Sequence, residues 1–227
     1  MKIMLRAFLF LLGLIVLPAA AAEEALVDTP FALTLEQYNA VTPKQSDQYQ
    51  RGSRLIGGRV FDGQNRAIGN INDITIEPAG SIHFLNAQLT GNKADLPLSY
   101  GGLQISPTQG GYKLPNVTKN SNDALAQIMA STAPAAGSNA ANALSVKDLI
   151  GSPVASDKNV RIGAVEDVIF ESNGGQAYAL LVRVNYRSVS GRSVAIPLKA
   201  ASYARNGPRY NVSLSEGQTQ TLLTFAR

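Results

Sequence analysis

The sequence predicts a mainly all-β protein: two small β-barrels, each followed by a short helix, joined by a flexible linker. Three observations carry that expectation. The stretch Leu55 to Gly80 (LIGGRVFDGQNRAIGNINDITIEPAG) returns from Leu149 to Gly174 (LIGSPVASDKNVRIGAVEDVIFESNG) at a constant offset of 94 residues, with ten identities in 26 positions. A gapless internal match of that length reads first as one unit used twice. Within each copy, short runs rich in Val, Ile and Thr alternate with turns rich in Gly, Asn and Asp, the pattern of a small barrel. Between the copies, Ala130 to Ala143 contains only Ala, Ser, Thr, Asn, Gly and Pro, too little apolar bulk for a core.

Composition limits the chemistry. The 227 residues leave room for one large domain or two small ones, and the internal repeat argues for two. Aromatics make up 7% and Trp is absent, so each core must rest on Val, Ile and Leu. Without Cys there are no disulfides, thiol nucleophiles or lipid-attachment cysteines. A lone histidine, His83, leaves no His pair for a metal and makes a Ser-His-Asp triad improbable. No cofactor is expected.

In chain order, residues 1–22 read as a secretory signal. Lys2 and Arg6 form the positive start, Ala7 to Leu17 the apolar run, and Pro18 precedes the small tract Ala19 to Ala22. The run is too short to span a bilayer, so cleavage after Ala22 and a periplasmic destination are expected. The mature chain then carries 18 basic and 16 acidic residues. Residues 23–54 read as a polar arm, with a short helix capped by Thr34 and a tether behind it. Residues 55–129 form the first unit: strands at Arg59 to Phe61, Ile68 to Glu77 and Ile82 to Leu89, then weaker ones at Leu96-Pro97-Leu98 and Tyr112 to Leu114. Pro97 places its strand at an edge, and Asn120 to Met129 is a trailing helix. The linker is 130–144. The second unit, 145–227, repeats the strand series and ends in a helix after Ser215.

The order Leu149-Ile150-Gly151, Val154, Arg161 to Val168, Tyr178 to Val182 and Val194 to Leu198 resembles the PRC-barrel family, whose run is a "G-x-x-V … IG-x-V-x-D" hairpin followed by "A-L-V-V" and "V-A-V-P" strands. The first copy matches at Leu55-Ile56-Gly57, Val60, Ile68-Gly69, Ile71, Asp73 and Leu96-Pro97-Leu98. It departs at Ile82 to Leu89, where His83 and Asn86 interrupt the apolar strand. The resemblance implies a small docking barrel and no shared catalytic constellation.

Among candidate residues, Asp73 and Glu77, like Asp167 and Glu171, are four apart. On a strand that is about 13 Å, too far for an acid/base pair or one metal ion. Glu166 and Asp167, being adjacent, should point to opposite faces. Asp73 and Asp167 are expected to bind backbone N–H groups of their own hairpins. Gly57, Gly69, Gly151 and Gly163 lack phosphate-loop spacing and read as close approaches or bulges. Less ordinary is Ser172 to Ser215, which has no Asp or Glu but contains Arg183, Arg187, Arg192, Lys199, Arg205 and Arg209. Uncompensated charge at loop tips favours an anionic partner, which outside the cytoplasm means an acidic protein face or an anionic membrane or glycan surface, not nucleic acid. The expected function is therefore a non-enzymatic, exported adaptor. The competing readings are a small-ligand carrier or enzyme with a site in a groove between the barrels, and a structural envelope spacer.

Overall fold

The computed structural model describes residues 28–40, 49–91, 94–108, 110–118, 128 and 142–227. The expected export signal, most of the expected linker and all of the trailing helix except Ile128 lie outside them. The chain builds two sheets. In the first, β2 (Arg59–Phe61), β3 (Ala67–Ile76), β4 (Ile82–Leu89), β5 (Asp95–Ser99), β6 (Ser106–Thr108) and β7 (Gly111–Lys113) stand in the order β5-β4-β3-β2-β7-β6. In the second, β9 (Pro153–Ser156), β10 (Arg161–Glu171), β11 (Ala177–Tyr186), β12 (Val189–Pro197), β13 (Ser202–Asn206) and β14 (Arg209–Leu214) stand in the order β12-β11-β10-β9-β14-β13. The two orders correspond strand for strand. In both, the last strand lies parallel beside the first, β7 on β2 and β14 on β9.

Among the described residues neither sheet closes on itself, which corrects the barrel expectation. Once β7 and β14 insert beside β2 and β9, their hairpin partners β6 and β13 become new edges and never meet β5 or β12. Pro97 does sit on an edge strand, β5, where its missing N–H is no loss. The β2–β3 turn forms because Asp62 accepts from the Gln64 and Arg66 N–H groups at 2.9 and 2.8 Å. In the second sheet Ser156 takes the Asp62 position and accepts from Val160 N–H. Asn65 and Asn159 fill the left-handed position of these turns, with φ of 62° and 60°.

The two halves exchange their leading segments. The strand β1 (Tyr49–Arg51), which leads into the helical turn α2 (Gly52–Leu55), pairs with β10 of the second sheet, Gln50 opposite Phe170 and Arg51 opposite Ile169. The strand β8 (Leu144–Ser145), leading into α3 (Val146–Leu149), pairs with β3 of the first, Leu144 opposite Ile76 and Ser145 opposite Thr75. Shifted by 94 residues, these are the same pairs. The apolar residues of both sheets accordingly join in one buried cluster, from Leu55 and Ile74 through Val146 to Phe170 and Val182.

The N-terminal arm is not a bare tether. Helix α1 (Thr29–Ala40) buries Phe31 and Leu35 and packs on β12 and on the C-terminal helix α4 (Glu216–Phe225). Its Tyr38 stacks on Tyr178 at 4.4 Å between ring centroids. Its Asn39 side chain donates to the Ala195 carbonyl at 2.9 Å and accepts from the Ala195 N–H at 2.8 Å, capping the β12 edge as a neighbouring strand would. Beneath α1 lies an apolar outer face of Ile169, Ala179, Leu181 and Ala195. Residues 41–48 lie outside the described set.

A basic-rimmed cleft as the candidate functional site

The two repeated aspartates clamp the exchange. Asp167 is 2% exposed and accepts from Ser53 N–H at 3.0 Å and from the Ser53 hydroxyl at 2.6 Å. Asp73 accepts from Lys147 N–H at 2.9 Å, and 53 and 147 again differ by 94. Each carboxylate also takes the N–H of the residue after it. The hydrogen bonds expected within each hairpin thus run largely to the opposite half, where they hold the first turns of α2 and α3. Glu166 and Asp167 do not diverge as strand alternation demands. A bulge between Val165 and Asp167 breaks the alternation, and both carboxylates approach Arg51, at 3.5 and 3.8 Å. Burial works to raise the Glu166 carboxyl, but the Ser193 hydroxyl, Arg183 and Arg51 outweigh it and hold it below the usual range.

The glycines serve the backbone. A Cβ on Gly69 would clash with the Gln88 carbonyl, and one on Gly163 with the Arg183 carbonyl, since the neighbouring strand runs directly over both. Gly57 and Gly151 adopt φ of 87° and 81° after α2 and α3.

The six basic residues fall into separate places. Arg183 pairs with Glu166 at 3.3 Å, Arg205 with Asp148 at 2.8 Å, and Arg209 donates to the Ile150 carbonyl. Those three are engaged in structure. Arg205 and Arg209 flank the β13–β14 turn, and Lys199 follows β12. Arg187 and Arg192 flank the β11–β12 turn at the other end of β11 and β12 from Lys199. Val184, Gly163, Val154 and Val212 form one row across the sheet. Arg187 lies three residues beyond that row, while Arg209 lies three residues before it on a strand of the same direction, so the two pairs of arginines sit at opposite ends. Among the described residues Arg187 and Arg192 have no carboxylate partner; Arg187 lies over the Tyr186 ring at 5.0 Å.

Beside Arg187 opens a cleft of about 210 Å³ between the β9–β10 turn, the β11–β12 turn and α4. Val160, Ile162, Val189 and Leu223 supply its apolar wall, and Lys158, Arg187, Glu216 and Arg227 its charged rim. Lys158 is paired with Glu216 at 2.6 Å. Thr219 also lines it; this side chain is 5% exposed and its hydroxyl has no hydrogen-bond partner. A buried hydroxyl left so costs about 1–3 kcal/mol. Sequence reasoning singled out Arg187 but missed Thr219, Val160 and Arg227, because only the fold brings α4 to the β9–β10 turn. A second hollow, of about 300 Å³ between the halves, is lined by Gln50, Pro107, Thr108, Ser172 and Asn173. It adjoins a more open hollow that shares Ser172 and Asn173 and is lined by Tyr49, Glu171 and Tyr178. Among the described residues no cluster of His, Cys, Asp or Glu could hold a metal ion, and no helix is long and apolar enough to cross a membrane.

Residues 141–214 match the PRC-barrel domain family. The match begins just before β8 and ends with β14, so it covers the whole second sheet except β1 and stops short of α4. No curated protein matches the chain at a significant level.

Proposed function

We propose that this chain is an exported, non-enzymatic docking protein of two PRC-barrel-like units, which holds a partner outside the cytoplasm by the basic end of the second unit. One observation carries the reading: Arg187 and Arg192 flank one turn with no carboxylate partner among the described residues, and Arg187 rims an apolar cleft. Charge of one sign at a loop tip steers an oppositely charged partner and fixes its register. Because the two halves share a core, the basic end is held rigidly, which reduces what must be ordered on binding.

The test is crosslinking of the tagged protein in intact cells, followed by mass spectrometry, with the Arg187→Glu, Arg192→Glu double variant alongside. The reading expects one dominant protein partner and at least a tenfold loss of its recovery from the variant. Equal recovery from both proteins would remove the basic end from the function. Capture of lipid or lipopolysaccharide alone, abolished by salt, would replace the protein partner with the membrane surface.

A further inference from the structure

The cleft itself has features that the fold does not require. At the position of Val160 the first sheet carries Arg66, which is ion-paired to Asp62 at 2.8 Å. In the second sheet that pair is replaced by Ser156 and Val160, and Val160 is left 44% exposed at the mouth of the cleft. A neighbouring threonine of α4, Thr221, satisfies its hydroxyl on the Gly217 carbonyl one turn back at 2.8 Å, the usual resort of a helical threonine. Thr219 has the same recourse to Ser215 and does not use it, although its hydroxyl is buried. An exposed aliphatic side chain and an unpartnered buried hydroxyl thus meet in one small cleft beneath Arg187 and Arg227. Helix α4, which brings Thr219 and Leu223, lies beyond the residues matching the family.

We infer that this cleft is a recognition site for a short acidic segment of a protein partner. It takes one apolar side chain against Val160, Val189 and Leu223, and flanking carboxylates on Arg187 and Arg227, with Thr219 hydrogen-bonded to the bound segment. The size fits this occupant: about 210 Å³ is below the roughly 300–1,000 Å³ of small-molecule pockets and suits a single anchoring side chain. Charge fits too, since Lys158, Arg187 and Arg227 face one Glu216. This inference rests on the docking reading above and adds the partner's chemistry to it.

The chain has no Trp, so a blocked Glu-Glu-Trp-Glu-Glu peptide reports its own binding by fluorescence. With the protein of residues 23–227, the inference expects a saturable blue shift that the Gln-Gln-Trp-Gln-Gln peptide does not give. Arg187→Glu should weaken binding at least tenfold and Thr219→Val about threefold or more, while Thr219→Ser, which keeps the hydroxyl, should bind as the parent does; matching circular dichroism spectra verify folding. Equal binding of both peptides, or binding indifferent to Arg187→Glu and Thr219→Val, would overturn the inference. So would a shift seen only with phosphatidylglycerol vesicles. If crosslinking in cells still captures a protein through Arg187 and Arg192 while the peptide fails, the inference falls and the docking reading stands. If the double variant also captures normally, both fall.

Discussion

Replacing Asp167 with Ala should loosen the whole molecule. The carboxylate is 2% exposed and accepts three hydrogen bonds, from Ser53 N–H at 3.0 Å, Ser53 Oγ at 2.6 Å and Val168 N–H at 2.8 Å. Its loss strands two backbone donors and uncaps the turn α2, which has no other side-chain cap. A stranded buried donor costs about 1–3 kcal/mol and a lost cap about 1 kcal/mol, so the expected loss is about 3 kcal/mol. For a chain of this size that lowers the melting temperature by about 6–12 °C. Urea unfolding of the protein of residues 23–227 at pH 7, followed by circular dichroism, reads the free energy directly. A cycle with Ser53→Ala should return a coupling of at least about 1 kcal/mol between residues 114 apart in sequence. A loss below about 1 kcal/mol, or no coupling to Ser53, would refute the account of the two halves as mutually clamped.

Asp73, the counterpart aspartate, has a carboxyl pushed above its ordinary value by burial and by Asp148, against the opposing bonds from Ser145, Lys147 N–H and Ile74 N–H. A carboxyl raised in the folded state favours folding when protonated, so its contribution to stability falls as pH rises from the ordinary Asp value through the raised one. Asp73→Asn should therefore gain on the parent at pH 7 and lose that advantage toward pH 4, measured by urea unfolding at both. Asn39→Ala removes both bonds to Ala195 and uncovers the β12 edge. Sedimentation should then show concentration-dependent association, and an unchanged monomer would show that the edge needs no cap. Gly163→Ala drives a Cβ into the Arg183 carbonyl and should cost about 3 kcal/mol, against less than about 0.5 kcal/mol for Gly101→Ala, which has open space around it.

Local chemistry was legible in the sequence; partnership was not. Asp62 to Asn65 marked a turn, and the β-branched run after it marked a strand, because both depend on neighbours in the chain. The exchange of β1 and β8 leaves no such trace: Gln50 and Leu144 present the same backbone donors whichever sheet they join, so the pattern is identical for closed and exchanged units. Helix α1 escaped notice as a docked element because it buries only Phe31 and Leu35, and its other contacts, Tyr38 on Tyr178 and Asn39 on Ala195, are aromatic and polar rather than an apolar stripe. The Glu166–Asp167 pair defeated alternation because a bulge cannot be counted from composition. Six basic residues close in sequence came apart because the strands carrying them reverse, sending Arg187 and Arg209 to opposite ends of the sheet.

The two halves agree where they hold each other and differ where they meet solvent, and that division says where function can reside. Asp73 and Asp167, Gly69 and Gly163, Asn65 and Asn159 are the same residue at the same register, each with a stated backbone duty. The outer faces have diverged. Ile169, Ala179, Leu181 and Ala195 of the second sheet lie opposite one another; at the same register the first sheet has Thr75, Phe84, Asn86 and Pro97. There Asn86 donates to the Thr75 hydroxyl at 3.1 Å, so this interruption of an otherwise apolar strand belongs to a half-buried face where a polar group finds a partner. The apolar version is covered by Tyr38 of α1 together with Tyr49 and Tyr178, and α1 in turn packs on α4, the helix that walls the cleft. Helices α1 and α4, Arg187 and the Thr219 hydroxyl thus gather on the second sheet, while the first half supplies the reciprocal strand and the clamp.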